Sequence, residues 1–266
     1  MLTLSHVSKT FAPGTANEHL ALDDISLHLA PGEFVTVIGS NGAGKSTLMN
    51  AVSGTFLADE GRIVLDGRDI TFLKEHRRAA LIGRLFQDPM KGTAPDMTIE
   101  ENLALAYSRG KHKRLAFAVN KKDSQIFRDE LARFDMGLED RMKTKVGLLS
   151  GGQRQAVTLL MCTIVPPKLL LLDEHTAALD PAAAEKVLSI TRGIVAREHL
   201  TTMMITHNIQ SALSMGTRTI MMNAGRILLD ISGDERAAMT VPRLMELYNQ
   251  KTDDTLDSDR NLLAQK

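Results

Sequence analysis

One octapeptide constrains this chain more than any other feature. Gly39-Ser40-Asn41-Gly42-Ala43-Gly44-Lys45-Ser46 satisfies the pattern G-x-x-x-x-G-K-[ST] at every position. It follows the almost wholly apolar run Phe34–Ile38 and opens Lys45–Ser53, which has helical spacing and stops at Gly54. Strand, glycine loop and helix in that order form the context a phosphate-binding loop requires. Small residues let backbone amides converge on phosphate oxygens, and the positive end of the following helix adds to their field. In this reading Lys45 reaches the β- and γ-phosphates, the Ser46 hydroxyl ligates Mg²⁺ and Thr47 contacts the α-phosphate. Such a loop specifies a nucleotide, not a reaction.

A second feature narrows the chemistry. Leu169-Leu170-Leu171-Leu172-Asp173-Glu174 places two acids at the carboxyl end of a buried strand, the edge where parallel α/β sheets bind ligands. Asp173 suits a Mg²⁺ ligand acting through water, and Glu174 suits a general base for water attacking the γ-phosphate.

Around these motifs the hydrophobic pattern predicts an α/β fold. Ile25, Leu27 and Leu29 alternate in a half-buried strand closed by Pro31-Gly32. Residues 62–70 read as a hairpin about Asp66-Gly67, and Leu81–Phe86 as a further buried strand. From about Met90 to Leu149 charge and helix formers dominate, and a capping box of Thr98 with Glu101 opens a helix through Tyr107. Strands return at Leu169–Leu172, Thr202–Ile205, Thr219–Met222 and Arg226–Ile231. The expectation is a mainly parallel sheet with antiparallel pieces near the N-terminus and a helical insertion at about 90–149. One nucleotide-binding domain is expected over 1–240, then a short helix and polar tail over 241–266.

Composition excludes several classes. Thirty-two basic residues balance thirty-two acidic ones, so no global field favours nucleic acid. The apolar runs fall far short of the ~20 residues a membrane helix needs, so membrane work requires another chain to span. Cys162, the single cysteine, lies in an apolar stretch and reads as a small buried hydrophobe. The scattered methionines read as core filler. Lys111-His112-Lys113-Arg114 with Lys121-Lys122 is the clearest basic cluster, either a solvated face or a contact with lipid headgroups or a membrane partner.

Between the phosphate loop and the paired acids lies Leu149-Ser150-Gly151-Gly152-Gln153, and with it the chain resembles the ABC (ATP-binding cassette) ATPases over about Met1 to Gly233. A serine and two glycines opening a helix offer a hydroxyl and amides to an anion. The resemblance implies a P-loop NTPase core, an N-terminal antiparallel β subdomain and an inserted helical subdomain that contacts a membrane partner. It implies that Ser150, Gly151, Gly152 and Gln153 serve the ATP of a second subunit, in a homodimer or a paired-ATPase assembly. By position, Gln87 corresponds to the glutamine sensing Mg²⁺ and the attacking water. Asp180 lies in the loop that crosses the dimer interface, His207 matches the histidine contacting the γ-phosphate, and Phe11 stands where an aromatic stacks on adenine.

The implied activity is ATP hydrolysis, with ATP and Mg²⁺, powering a transmembrane permease from the cytoplasmic face of the cell membrane. The His175-Thr176 pair replaces the family's usual proline and threonine. That variant is similar to importer ATPases assigned to aromatic or other amino acids, which implies an extracytoplasmic solute-binding protein and no nucleic-acid partner. An exporter ATPase, or a non-transport ABC protein, is the alternative.

Overall fold

The computed structural model describes residues 1–109 and 120–251. They form two compact units, one joining residues 1–73 to the stretch from residue 203 onward, the other spanning residues 74–202. The chain runs through β1 (Leu2–Phe11), β2 (His19–Leu29), β3 (Phe34–Gly39), α1 (Lys45–Ser53), β4 (Glu60–Leu65) and β5 (Arg68–Asp69). It continues through α2 (Glu75–Arg78), β6 (Ile82–Leu85), α3 (Ile99–Tyr107), α4 (Lys121–Ala132), α5 (Gly151–Thr163), β7 (Leu169–Asp173) and α6 (Pro181–Glu198). The last elements are β8 (Thr201–Ile205), α7 (Ile209–Met215), β9 (Arg218–Asn223), β10 (Arg226–Ser232), α8 (Gly233–Ala237) and α9 (residues 241–251).

In the first unit β2, β1, β4 and β5 form an antiparallel sheet in that order. The expected hairpin is present, with Val64 facing Asp69 and both Asp66 and Gly67 at positive φ, as a tight two-residue turn needs. The sequence reading missed β1. Leu2, Leu4 and Val7 all point inward, but a register shift after Leu4, with His6 at φ 53°, breaks the two-residue period between Leu4 and Val7. A second group of strands follows the order β10, β9, β3, β8. β9 runs parallel to β3, pairing Gly39 with Met222, while β10 returns antiparallel.

β3 is buried at every residue from Phe34 to Ile38, consistent with a strand covered on both faces. At about 2 kcal/mol per large apolar side chain, its burial makes a rigid base for the loop that follows. A second cluster gathers Ile38, Ala212, Met221, Ile231 and Leu244, with Tyr248 of α9 packed against it. Arg236 of α8 is 6% exposed and donates to Thr219 Oγ1 at 2.6 Å and to the carbonyls of Ala212 and Gly216 at 2.8 and 3.0 Å.

In the second unit β6 and β7 pair in parallel. Around them are helices whose starts are written locally. Thr98 and Glu101 close the expected capping box. Asn120 caps α4 through Asp123 N–H, and Asp180 caps α6 through Ala183 N–H at 3.0 Å. Asn102, fully buried, binds Ala94 N–H and the carbonyls of Ala94, Met97 and Thr98, fixing the turn that leads into α3. Phe127 of α4 is fully buried and meets Tyr107 edge-on at 5.6 Å. Cys162 is buried, as expected, and burial pushes its thiol up to about 11. Met49, Met203, Met204, Met221 and Met222 are core residues. The basic run 111–114 and the tail 252–266 lie outside the described residues. No described helix is long and apolar enough to cross a membrane.

Candidate functional site

The phosphate loop sits between β3 and α1 in the first unit. Gly39 lies at φ 148°, and a Cβ there would stand 2.3 Å from the Met222 carbonyl oxygen of the adjacent strand. No side chain fits. Gly42, at φ 80°, has nothing within 4 Å of such a Cβ and faces solvent. Glycine is therefore required at 39 by the protein's own backbone, whereas at 42 it leaves space on the open side for a ligand. Behind the loop, Gly225 N–H donates to Ala43 O at 3.2 Å and Asp23 N–H to Gly225 O at 3.0 Å, anchoring it to β2 and the β9–β10 turn.

Ala43 N–H turns back to Ser40 O at 3.2 Å, and Leu48 N–H closes the first turn of α1 on Gly44 O at 2.8 Å. First-turn amides of a helix have no intrahelical carbonyl to reach, so this end of α1 favours an anion. Lys45 is 5% exposed and donates from Nζ to Gly39 O and Ser40 O, both at 2.8 Å. Its ammonium is thereby held against the loop it is expected to serve. Ser46 and Asn41 are exposed, and Thr47 is half-buried.

His207 follows β8, the neighbour of β3. Thr206 N–H donates to Val37 O at 3.3 Å, placing His207 just past the end of that strand pair, with its side chain exposed. Phe11 ends β1 and is 38% exposed. It packs edge-on against Phe56 at 5.2 Å, and Lys9 Nζ lies 5.6 Å from its ring centre. The sequence reading had no signal for Phe56, which lies in a loop without period.

The second unit holds the acids and the signature turn. Asp173 ends β7 partly buried, with Arg84 Nη2 of β6 at 3.4 Å. Glu174 follows at φ 47°, a left-handed conformation that costs a non-glycine residue about 1–2 kcal/mol. Ala177 N–H closes back on Glu174 O at 3.0 Å. His175 is 3% exposed, and burial pushes its imidazole down to about 4, so the ring is neutral. Gln155 Nε2 donates to His175 O at 2.7 Å and to Phe86 O, immediately before the exposed Gln87, at 3.4 Å.

Ser150 caps α5 in a second capping box: its hydroxyl accepts from Gln153 N–H, and its own N–H donates to Gln153 Oε1, both at 3.3 Å. Gln153 Oε1 also accepts from Arg141 at 3.2 Å. The two glycines have a packing role beyond the amides expected of them. A Cβ on Gly151 would meet Leu179 Cδ2, and one on Gly152 would meet Ala183 Cβ, each at 3.0 Å. The signature turn thus abuts the loop and helix start that Asp180 caps. Arg84 and Gln155 carry no signal in the sequence, because each looks like an ordinary polar residue on its element.

Residues 22–177 match the family model described as ABC transporter. The chain is 41% identical over 248 residues to a tyrosine transport ATP-binding protein of Clostridioides difficile, covering 93% of this chain and 98% of that one. It is 38% identical over 211 residues to a methionine import ATP-binding protein of Rhizobium johnstonii, covering 78% of this chain and 56% of that longer relative. A solved dimeric ATP-binding cassette in a post-hydrolysis state, bound to ADP and Pi, superimposes with a TM-score of 0.75 at 26% identity. That match covers 87% of this chain and 98% of the cassette.

Proposed function

The chain belongs to the ABC transporter family, and from that premise we propose that it is the ATP-hydrolysing subunit of a membrane importer for a small solute such as an amino acid. One observation carries the reading. A single chain holds both a phosphate loop whose tight turn admits no side chain at Gly39 and a capped signature turn, Ser150–Gln153, of the kind that closes on a partner's nucleotide. The tyrosine and methionine transport relatives favour amino-acid import.

In this reading Gly39 to Thr47 hold the phosphates of ATP, and Phe11 stacks on the adenine by its π-face. Ser150, Gly151, Gly152 and Gln153 close on the ATP of a second copy, with Asp180 at the interface. The donors assigned to Mg²⁺ are Ser46, Gln87 and Asp173, all oxygen ligands, and the half-buried Asp173 carboxylate suits that hard ion. Mg²⁺ supplies charge neutralisation at the β- and γ-phosphates when bound. Gln87 orients the attacking water and His207 contacts the γ-phosphate. Glu174 accepts the water's proton as its oxygen bonds to the γ-phosphorus and the bond to the β–γ bridging oxygen breaks, releasing ADP and phosphate. Closing and opening of the dimer moves a permease between inward- and outward-facing states from the cytoplasmic face of the membrane. An extracytoplasmic solute-binding protein delivers the solute, and no nucleic acid takes part.

Glu174→Gln tests the chemistry. It is expected to retain ATP binding, accumulate as an ATP-bound dimer and lose about 10²–10⁴-fold in turnover; unchanged turnover removes Glu174 from the base role. Purification of the full chain from solubilised membranes tests the partners. A multi-span permease with a solute-binding protein supports import, a permease without one supports export, and recovery with nucleic acid alone overturns the transport reading.

A further inference from the structure

Glu174 is one of eight described non-glycine residues at positive φ, and at a site assigned to the catalytic base such a conformation calls for a structural cause. The surroundings act through the next residue. His175 is sealed from solvent and gripped at two points, one on its backbone and one on its ring. Its carbonyl accepts the 2.7 Å bond from Gln155 of α5. Its Nε2 lies 3.3 Å from the Thr191 hydroxyl of α6. Thr191 is fully buried and spends its own hydrogen on Val187 O at 2.8 Å. The hydroxyl oxygen can then only accept, so Nε2 carries the hydrogen and the imidazole is the donor.

Gln155 is 1% exposed, and its Oε1 has no hydrogen-bond partner among the described residues, so its bonding falls to Nε2. A buried orphan acceptor costs about 1–3 kcal/mol, which makes glutamine a poor choice for stability alone.

We propose that His175 is the positioning residue for Glu174, locked between Thr191 of α6 and Gln155 of the signature helix so that the glutamate backbone is held in its left-handed conformation. This rests on the assignment of Glu174 as the base. The lock joins the base loop to the helix that begins with the signature turn, and through Phe86 O to the residue before Gln87. Neither Gln155 nor Thr191 touches the reacting atoms in this scheme.

Thr191→Val removes the hydroxyl with little change of shape, and Thr191→Ser retains it. Both are compared with the wild type and with Glu174→Gln as full-length proteins, by steady-state ATP turnover, KM for ATP and thermal unfolding. Thr191→Val is expected to lower kcat by about tenfold at unchanged KM, the scale of a small misplacement of a reacting group, and Thr191→Ser to restore it. A kcat for Thr191→Val within twofold of wild type, or a loss that Thr191→Ser does not restore, overturns the proposal even where Glu174→Gln is inactive. An active Glu174→Gln overturns the base assignment instead, whatever Thr191→Val does.

Discussion

Gly39→Ala and Gly42→Ala put the same methyl group into one loop, and the structure assigns them different costs. At Gly39 the backbone lies at φ 148° and the new carbon would sit 2.3 Å from a carbonyl oxygen of β9. Conformational strain of about 1–3 kcal/mol adds to an overlap of about 1–3 kcal/mol. A stiffer unfolded chain offsets about 0.4–1 kcal/mol, leaving a net loss near 3 kcal/mol. At Gly42 nothing lies within 4 Å, so only the left-handed φ of 80° is penalised. After the same offset its loss is about 1 kcal/mol. Scanning calorimetry of the two full-length variants should show a fall in Tm of about 6–12 °C for Gly39→Ala and about 2–4 °C for Gly42→Ala. Nucleotide titration of the folded fraction should show the opposite emphasis, with Gly42→Ala losing ATP affinity through crowding of the open side. Equal Tm shifts would mean that β9 yields at Met222, and the account of the loop as fixed by neighbouring backbone would fail.

Asn102→Leu keeps the branched shape but strands the Ala94 N–H and removes one of the two donors from each of the carbonyls of Ala94, Met97 and Thr98; a loss of about 2 kcal/mol is expected in urea unfolding, and a change under about 0.5 kcal/mol would contradict it. Asp69 gives a pH signature. The Thr71 hydroxyl, then the Thr71 amide and Arg62, hold its carboxyl at about 2, below the ordinary 3.8. Its folded value is the lower one, so its contribution is complete above the ordinary value and disappears as pH falls through the folded one. Asp69→Asn should be less stable than wild type at neutral pH, with the difference closing as pH is lowered from about 4 to about 2. A difference that stays constant through that window would show that the carboxylate's charge is not what matters.

The elements most legible in the sequence were those in which local chemistry and tertiary demand agree. α1 runs from Lys45 to Ser53 as expected because the glycine loop starts it and left-handed Gly54 ends it. The Thr98–Glu101 box and the Asp66-Gly67 turn are equally local. β1 was hidden because its bulge at His6 breaks the alternation that betrays a strand, although Leu2, Leu4 and Val7 are all buried. At the candidate site the residues expected to meet a ligand carry motif spacing, and sequence can show spacing. Gln155, Thr191 and Arg84 act at long separation through one or two bonds each, and nothing in their own segments distinguishes them from solvated polar residues.

The buried guanidinium of Arg236 sets how short a working fragment of this protein can be made. A chain cut after Ser232 would keep every described strand yet lose the guanidinium bonds to the Thr219 hydroxyl and to the carbonyls of Ala212 and Gly216, leaving Thr36 as the side-chain partner of the first two, and would uncover the cluster that Leu244 completes. Expression boundaries and fusion junctions therefore belong beyond residue 251 rather than at the last strand.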